Sequence, residues 1–228
     1  MIKPFFAVCS FFTVYALLTN FSGIPIDHDH ALVFIIRHEE GVSNVNTYAG
    51  ITQKKWEIWR SKQGDIRHLP RYVGMLAGDP KLHPLKDPEA NITVIKRFYY
   101  DSLHKWHAWD IHPALQLIYA DFVTLVGREA VKEIQKLVGV EADGMWGDAT
   151  AKAVKIFNVD LEAKRSQNPG YAWQIFLRFD AQKRDVFQSL AKKNPEKYAS
   201  HLQSWLKRSD DLKTYMQPIL TGKNNGKG

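Results

Sequence analysis

A single cysteine in 228 residues, Cys9, excludes an internal disulfide framework. The chain has no phosphate-cradling glycine loop, no serine or cysteine nucleophile constellation and no nucleic-acid-binding motif. It has no internal repeat, and its low-complexity sequence is confined to the end. Acidic residues are in the minority, 24 against 31 lysines and arginines, leaving a formal charge of +7. That balance favours anionic partners such as nucleic acid, acidic lipid or cell-wall polymer. The basic residues are scattered, however, and read mostly as a solvated surface; nucleic acid is not an expected partner. His28, His30, His38, His104, His107 and His112 invite a metal, and His104 and His107 are spaced for one helix face. No Cys or Glu signature accompanies them, so neither a metal nor any other cofactor is expected.

No hydrophobic run is both long and free of polar residues. The nearest approach is the opening segment, where Lys3 precedes an uncharged stretch from Pro4 to Ile26 that includes Phe5, Phe6, Val8, Phe11 and Phe12. A charged start and apolar middle are the marks of an export signal. The run is short and polar-flecked for a stable span, and a good small-x-small cleavage site is absent. Residues 1–26 are therefore read as a signal peptide or an uncleaved signal anchor, with a buried N-terminal helix as the alternative. The expected location is the periplasm, free or anchored to the inner membrane through this segment.

What is abundant is helical patterning. A helix capped by His28 or Asp29 is predicted through Leu32, Ile35 and Ile36 to Glu39, stopped by Gly41. Thr52 caps a second, bearing Trp56 and Trp59. Residues 61–90 carry three glycines and four prolines and read as a long irregular wall. Further helices are predicted at Ile92–Leu103 with Asn91 as cap, around Leu115–Leu125, at Glu129–Val138, at Asp148–Phe157 with Asp148 as cap, at Tyr171–Leu190 and at Pro195–Arg208. The chain is thus mostly α, with at most a small β-hairpin around residues 42–51. Residues 218–228, closing on a Gly-, Asn- and Lys-rich run, should be disordered. Seven tryptophans and nine tyrosines suit a sugar cleft or an ordinary core equally.

Chemistry concentrates near Arg37-His38-Glu39-Glu40-Gly41 and Thr47-Tyr48-Ala49-Gly50-Ile51-Thr52. A carboxylate ends an apolar helix, and a hydroxyl follows in a glycine-containing turn. Cleaving a glycosidic bond needs a proton donor at the leaving oxygen and a group on the other sugar face that holds water or stabilises the cation. Glu39 and Thr47 can supply those roles; the plain alternative is a helix ending in two solvated glutamates. Adjacent helix residues point about 100° apart, so Glu39 and Glu40 cannot both face one sugar.

His38 to Asn44 resembles the H-E-G-G-Y-x-N signature of the N-acetylmuramidases of glycoside hydrolase family 108, and Thr47 to Thr52 resembles the T-x-Y-G-I-T segment that follows it. Gln135 to Thr150 is similar to the L-Q-x-x-L-G-V-x-x-D-G-x-x-G-x-x-T pattern of the peptidoglycan-binding module such enzymes carry. Ser204-Trp205-Leu206-Lys207-Arg208 resembles that module's closing G-W-x-x-R. The resemblance spans roughly residues 28 to 212. It implies a lysozyme-like helical domain with a small β-hairpin over 27–126 and a helical peptidoglycan-binding module over 127–217. It also implies hydrolysis of the β-1,4 bond between N-acetylmuramic acid and N-acetylglucosamine, with peptidoglycan as partner. Glu39 becomes the general acid, because His38 and Asn44 then align without a gap, and Thr47 the residue on the opposite face.

The chain also departs from the pattern. Family members carry an aspartate in a D-P-G-G-x-T stretch before the threonine, where this shorter loop has Val45-Asn46. Thr47 alone, Asn46, or an acid from elsewhere (Asp65 or Asp101) is left to take its part. Tyr119 to Gly127 resembles the family's F-D-x-x-V-N-x-G helix, keeping Asp121 but holding Leu125 at the asparagine position. Asp121 is either a cleft residue or a structural acceptor; Tyr99 and Tyr100 line the cleft or fill the core. Asn46, Tyr48, Tyr99, Tyr100 and Asp121 are thus the expected substrate-binding residues. The Asp143-Gly144 turn reads as architectural. The shortened loop and Leu125 support a rival reading, a catalytically degenerate muramidase fold that binds peptidoglycan as a structural component.

Overall fold

The computed structural model describes residues 28–39, 47–67, 69–73 and 88–222. Among them the chain is mostly α-helical, as the patterning predicts. The opening segment read as a signal or anchor, Glu40, Gly41 and Asn46 lie outside the described residues.

Helix α1 spans His28–Glu39 and buries Ala31, Leu32, Ile35 and Ile36, the apolar stripe legible in the sequence. Strands β1 (Thr47–Tyr48) and β2 (Ile51–Thr52) pair antiparallel, Thr47 opposite Thr52 and Tyr48 opposite Ile51. Ala49 and Gly50 join them with φ of 46° and 71°. Two positive φ values are what the tightest hairpin turns require, and only one of these residues is a glycine. Helix α2 (Gln53–Arg60) starts on Thr52, whose hydroxyl accepts from Lys55 N, and buries Trp56 and Trp59. The irregular segment after it is tied back to α2, Trp56 Nε1 donating to Pro70 O at 3.0 Å and Arg60 to Leu69 O at 3.3 Å.

Helix α3 runs Pro88–Lys105 and so begins earlier than predicted. Pro88 supplies the start, since proline's missing N–H costs nothing in a first turn. Asn91 accordingly lies inside the helix and is not its cap. Helix α4, Pro113–Val126, is the centre of the molecule, with every residue from Ala114 to Val123 buried. A helix apolar on all sides has to be surrounded. Around it pack α1, α3, α5 (Arg128–Val138) and α7 (Tyr171–Lys193). Helix α6 spans Asp148–Gln167, ten residues past its predicted end, with Gly147 rather than Asp148 at the cap position. Helix α8, Pro195–Thr221, packs along α7 and runs through Pro218 into the segment expected to be a tail.

Residues on both sides of the expected boundary at 126/127 share one hydrophobic cluster, from Ile35 and Phe122 to Phe187 and Trp205. The Asp143-Gly144 turn is held from α5 by Gln135. Its Nε2 donates to Asp143 Oδ1 at 2.8 Å and to Met145 O at 2.9 Å, while its Oε1 accepts from Gly144 N at 2.8 Å. Asp143 Oδ1 also accepts from Met145 N. These bonds stay within the turn and its supporting helix, consistent with an architectural role.

Candidate active site

A cleft of about 1040 Å³ opens between the end of α1, the hairpin, α2, α3, α4 and the first half of α8. Glu39 and Gly50 line it, with the rings of Trp59, Tyr99, Trp106, Tyr198 and Trp205 and the lysines Lys55, Lys62, Lys105 and Lys197 around them. Leu125 lines it as well, an apolar wall where the family pattern would present an amide.

Glu39 is the last residue of α1, and its side chain is only 19% exposed. Its Oε1 accepts from Arg208 Nη1 at 2.5 Å, across 169 residues of sequence. The other oxygen packs on the hairpin turn: a methyl at residue 50 would lie 2.2 Å from Glu39 Oε2. Gly50 is therefore required twice, by its φ and by the carboxylate against it. Tyr99 Oη, on α3, donates to Ala49 O at 2.5 Å and fixes the same turn from the other side. Burial, with the negative charge of Glu39 added to it and Arg208 opposing, raises the Tyr99 phenol far above its ordinary range, so it stays a donor.

Behind Glu39 lies a buried chain of alternating charges. Arg208 Nε donates to Asp121 Oδ1, and Lys183 Nζ donates to Asp121 Oδ2 at 2.5 Å. Asp121 and Lys183 are fully buried, and Arg208 nearly so. Burial works against the charge of Asp121, but Arg208 and Lys183 outweigh it and hold the carboxyl below its ordinary range. Burial also pulls the Lys183 ammonium below its usual range, with Asp121 opposing.

The predicted site residues therefore separate. Glu39 and Tyr99 come together at the cleft. Thr47 and Tyr48 form the strand leading into the Ala49-Gly50 turn beside them. Asp121 does not face the cleft; it grips Arg208 and Lys183 in the interior, the structural half of the two readings left open for it. Tyr100 points elsewhere, stacked on Trp109 at 5.5 Å between ring centres with His28 beside both. Of the replacement acids weighed for the missing aspartate, Asp101 lines the cleft and accepts from Trp59 Nε1 at 2.8 Å, whereas Asp65 is paired with Arg67. His38, next to Glu39 in sequence, turns away into a second groove of about 530 Å³ that it shares with Asp29, Arg37, Asp211 and Tyr215.

Sequence reasoning missed Arg208 and Lys183 as partners of the acids. Arg208 was visible as the last letter of the W-x-x-R run but belonged, on the resemblance, to a different domain. Lys183 carries a weaker signal: it stands four residues from both Phe179 and Phe187, on the apolar stripe of α7, where a lysine must find a buried acid. Among the described residues no group of three or more His, Cys, Asp or Glu side chains is arranged to hold a metal ion. Nor is any helix among them long and apolar enough to cross a membrane. No protein-family model, curated protein or solved structure matches the chain.

Proposed function

We propose that the protein is a peptidoglycan hydrolase cleaving the β-1,4 bond between N-acetylmuramic acid and N-acetylglucosamine. The observation that carries this reading is convergence. Glu39, Gly50 and Arg208 lie in three separate stretches that resemble the family's motifs; Glu39 and Gly50 line one aromatic-walled cleft, and Arg208 holds Glu39 from behind it. Flat apolar rings suit the faces of pyranose sugars, and of those at the cleft Trp106 and Tyr198 are only half-buried. Glu39, with Oε1 engaged and Oε2 at the cleft, is the general acid. In the reaction the C1–O4 bond breaks, the proton of Glu39 passes to the leaving O4, and a water oxygen bonds to C1. The proton that water releases restores Glu39 through solvent. Thr47 holds that water or the substrate on the opposite sugar face.

The test is release of reducing sugar from purified peptidoglycan by the full chain and by Glu39→Gln. The expected result is activity in the parent and a loss on the order of 10²-fold or more in the variant, which still pellets with the polymer. The absent aspartate and the ion pair on Glu39 favour a second reading, a wall-binding protein on a degenerate muramidase fold. A parent that pellets with peptidoglycan but releases nothing establishes that reading instead. A parent that neither binds nor cleaves overturns both.

A further inference from the structure

We propose that Arg208 is a positioning residue for Glu39, held in its own place by Asp121 and Lys183, so that helix α8 completes the reactive site. The inference rests on the muramidase reading above. A glutamate at a helix end has rotatable bonds enough to sample several positions. Here one guanidinium decides among them. Its Nη1 holds Glu39 Oε1 at 2.5 Å while its Nε is bound to Asp121, and the planar fork fixes the angle between those two bonds. Asp121 is in turn immobilised through its second oxygen by Lys183 at 2.5 Å. Of the four members of this chain, Glu39 alone lines the cleft. Arg208 therefore acts on the reaction through Glu39 and not by touching a sugar.

Stability is a poor explanation for the arrangement. Taking four charges out of water costs more than a well-packed apolar cluster would, and such clusters are commonly as stable or more so. Arg208 Nη2 is also buried without a hydrogen-bond partner among the described residues, a further cost. What the cluster does achieve is orientation: Oε1 is occupied, and Oε2 is left at the cleft beside Gly50.

The test measures kcat, KM and the thermal midpoint of the full chain, with Glu39→Gln, Arg208→Gln and Arg208→Lys beside it. In Arg208→Gln, kcat is expected to fall about 10²-fold with KM little changed, the scale of a misplaced catalytic group. Arg208→Lys keeps the charge but loses the planar fork. A point-charge ammonium cannot span both carboxylates, so kcat still drops about tenfold. A folded Arg208→Gln that keeps full kcat or loses rate only through KM, or an Arg208→Lys with full kcat, overturns the proposal. If the glutamine variant does not fold, the lysine variant decides alone. An active parent with an inactive Glu39→Gln and unaffected Arg208 variants removes the positioning role while leaving the muramidase reading intact. An inactive parent removes both.

Discussion

His112 joins a helix start to a pH response. Its Nδ1 accepts from Ala114 N at 3.2 Å as the cap of α4, and its Nε2 meets Glu162 Oε2 at 3.1 Å. Burial lowers its titration from 6.5 to about 4; the hydrogen bond and charge of Glu162 oppose this, and Arg165 adds to it. Between those two values the unfolded chain takes up a proton that the folded chain refuses. The contribution of His112 is thus complete above about pH 6.5 and is lost as pH falls toward 4, on the order of 3 kcal/mol in all. Asn at this position keeps the capping ability and removes the titration. Urea midpoints of the parent are expected to fall between pH 7 and 4.5, and those of His112→Asn to fall less. Parallel profiles for the two proteins would sink the assignment.

At the scale of elements, most of the helices could be read from periodicity, because an amphipathic stripe such as that of α1 is dictated by which face must be buried. The ends were harder. The capping propensity of Asn91 points to a start of α3 near Ile92, whereas the helix begins at Pro88. Helix α6 runs on past Leu161, its last buried residue, with no apolar stripe to mark its final turn, and α8 continues on the stripe Leu212, Met216 and Leu220, which Pro218 obscures in the sequence. The candidate site divided in the same way. Glu39 and the glycine turn are local patterns and were legible, whereas the Arg208 and Lys183 contacts depend on how α7 and α8 return to α4. Those contacts give α7 a measurable signature. Lys183→Met is expected to cost about 3 kcal/mol by leaving Asp121 short of one partner in the interior. Adding Asp121→Asn should cost less than the sum of the two single changes, read by denaturant unfolding, since the two groups share one ionic chain. Strict additivity would mean that they act independently.

For the molecule as a whole, the excess of seven positive charges is partly concentrated where it can matter, since Lys55, Lys62, Lys105 and Lys197 all line the cleft. Peptidoglycan carries carboxylates, and exposed lysines attract them over a screening length of about 10 Å at 0.1 M salt. Pelleting with peptidoglycan is therefore expected to weaken several-fold as salt rises from about 0.05 to 0.3 M, while binding to neutral chitin stays nearly constant. Equal salt sensitivity for both polymers would argue that the lysines do not set the preference.

The link between Glu39 and Arg208 also fixes an order of events. A chain made from its amino end carries α1 and the hairpin long before the 169 further residues that bring Arg208. Until then Asp121 lacks both of its cations and the cleft lacks its α8 wall, with Tyr198 and Trp205 still unmade. Synthesis itself thus sets a latch: a polypeptide interrupted anywhere short of α8 holds Glu39 without the guanidinium that grips it.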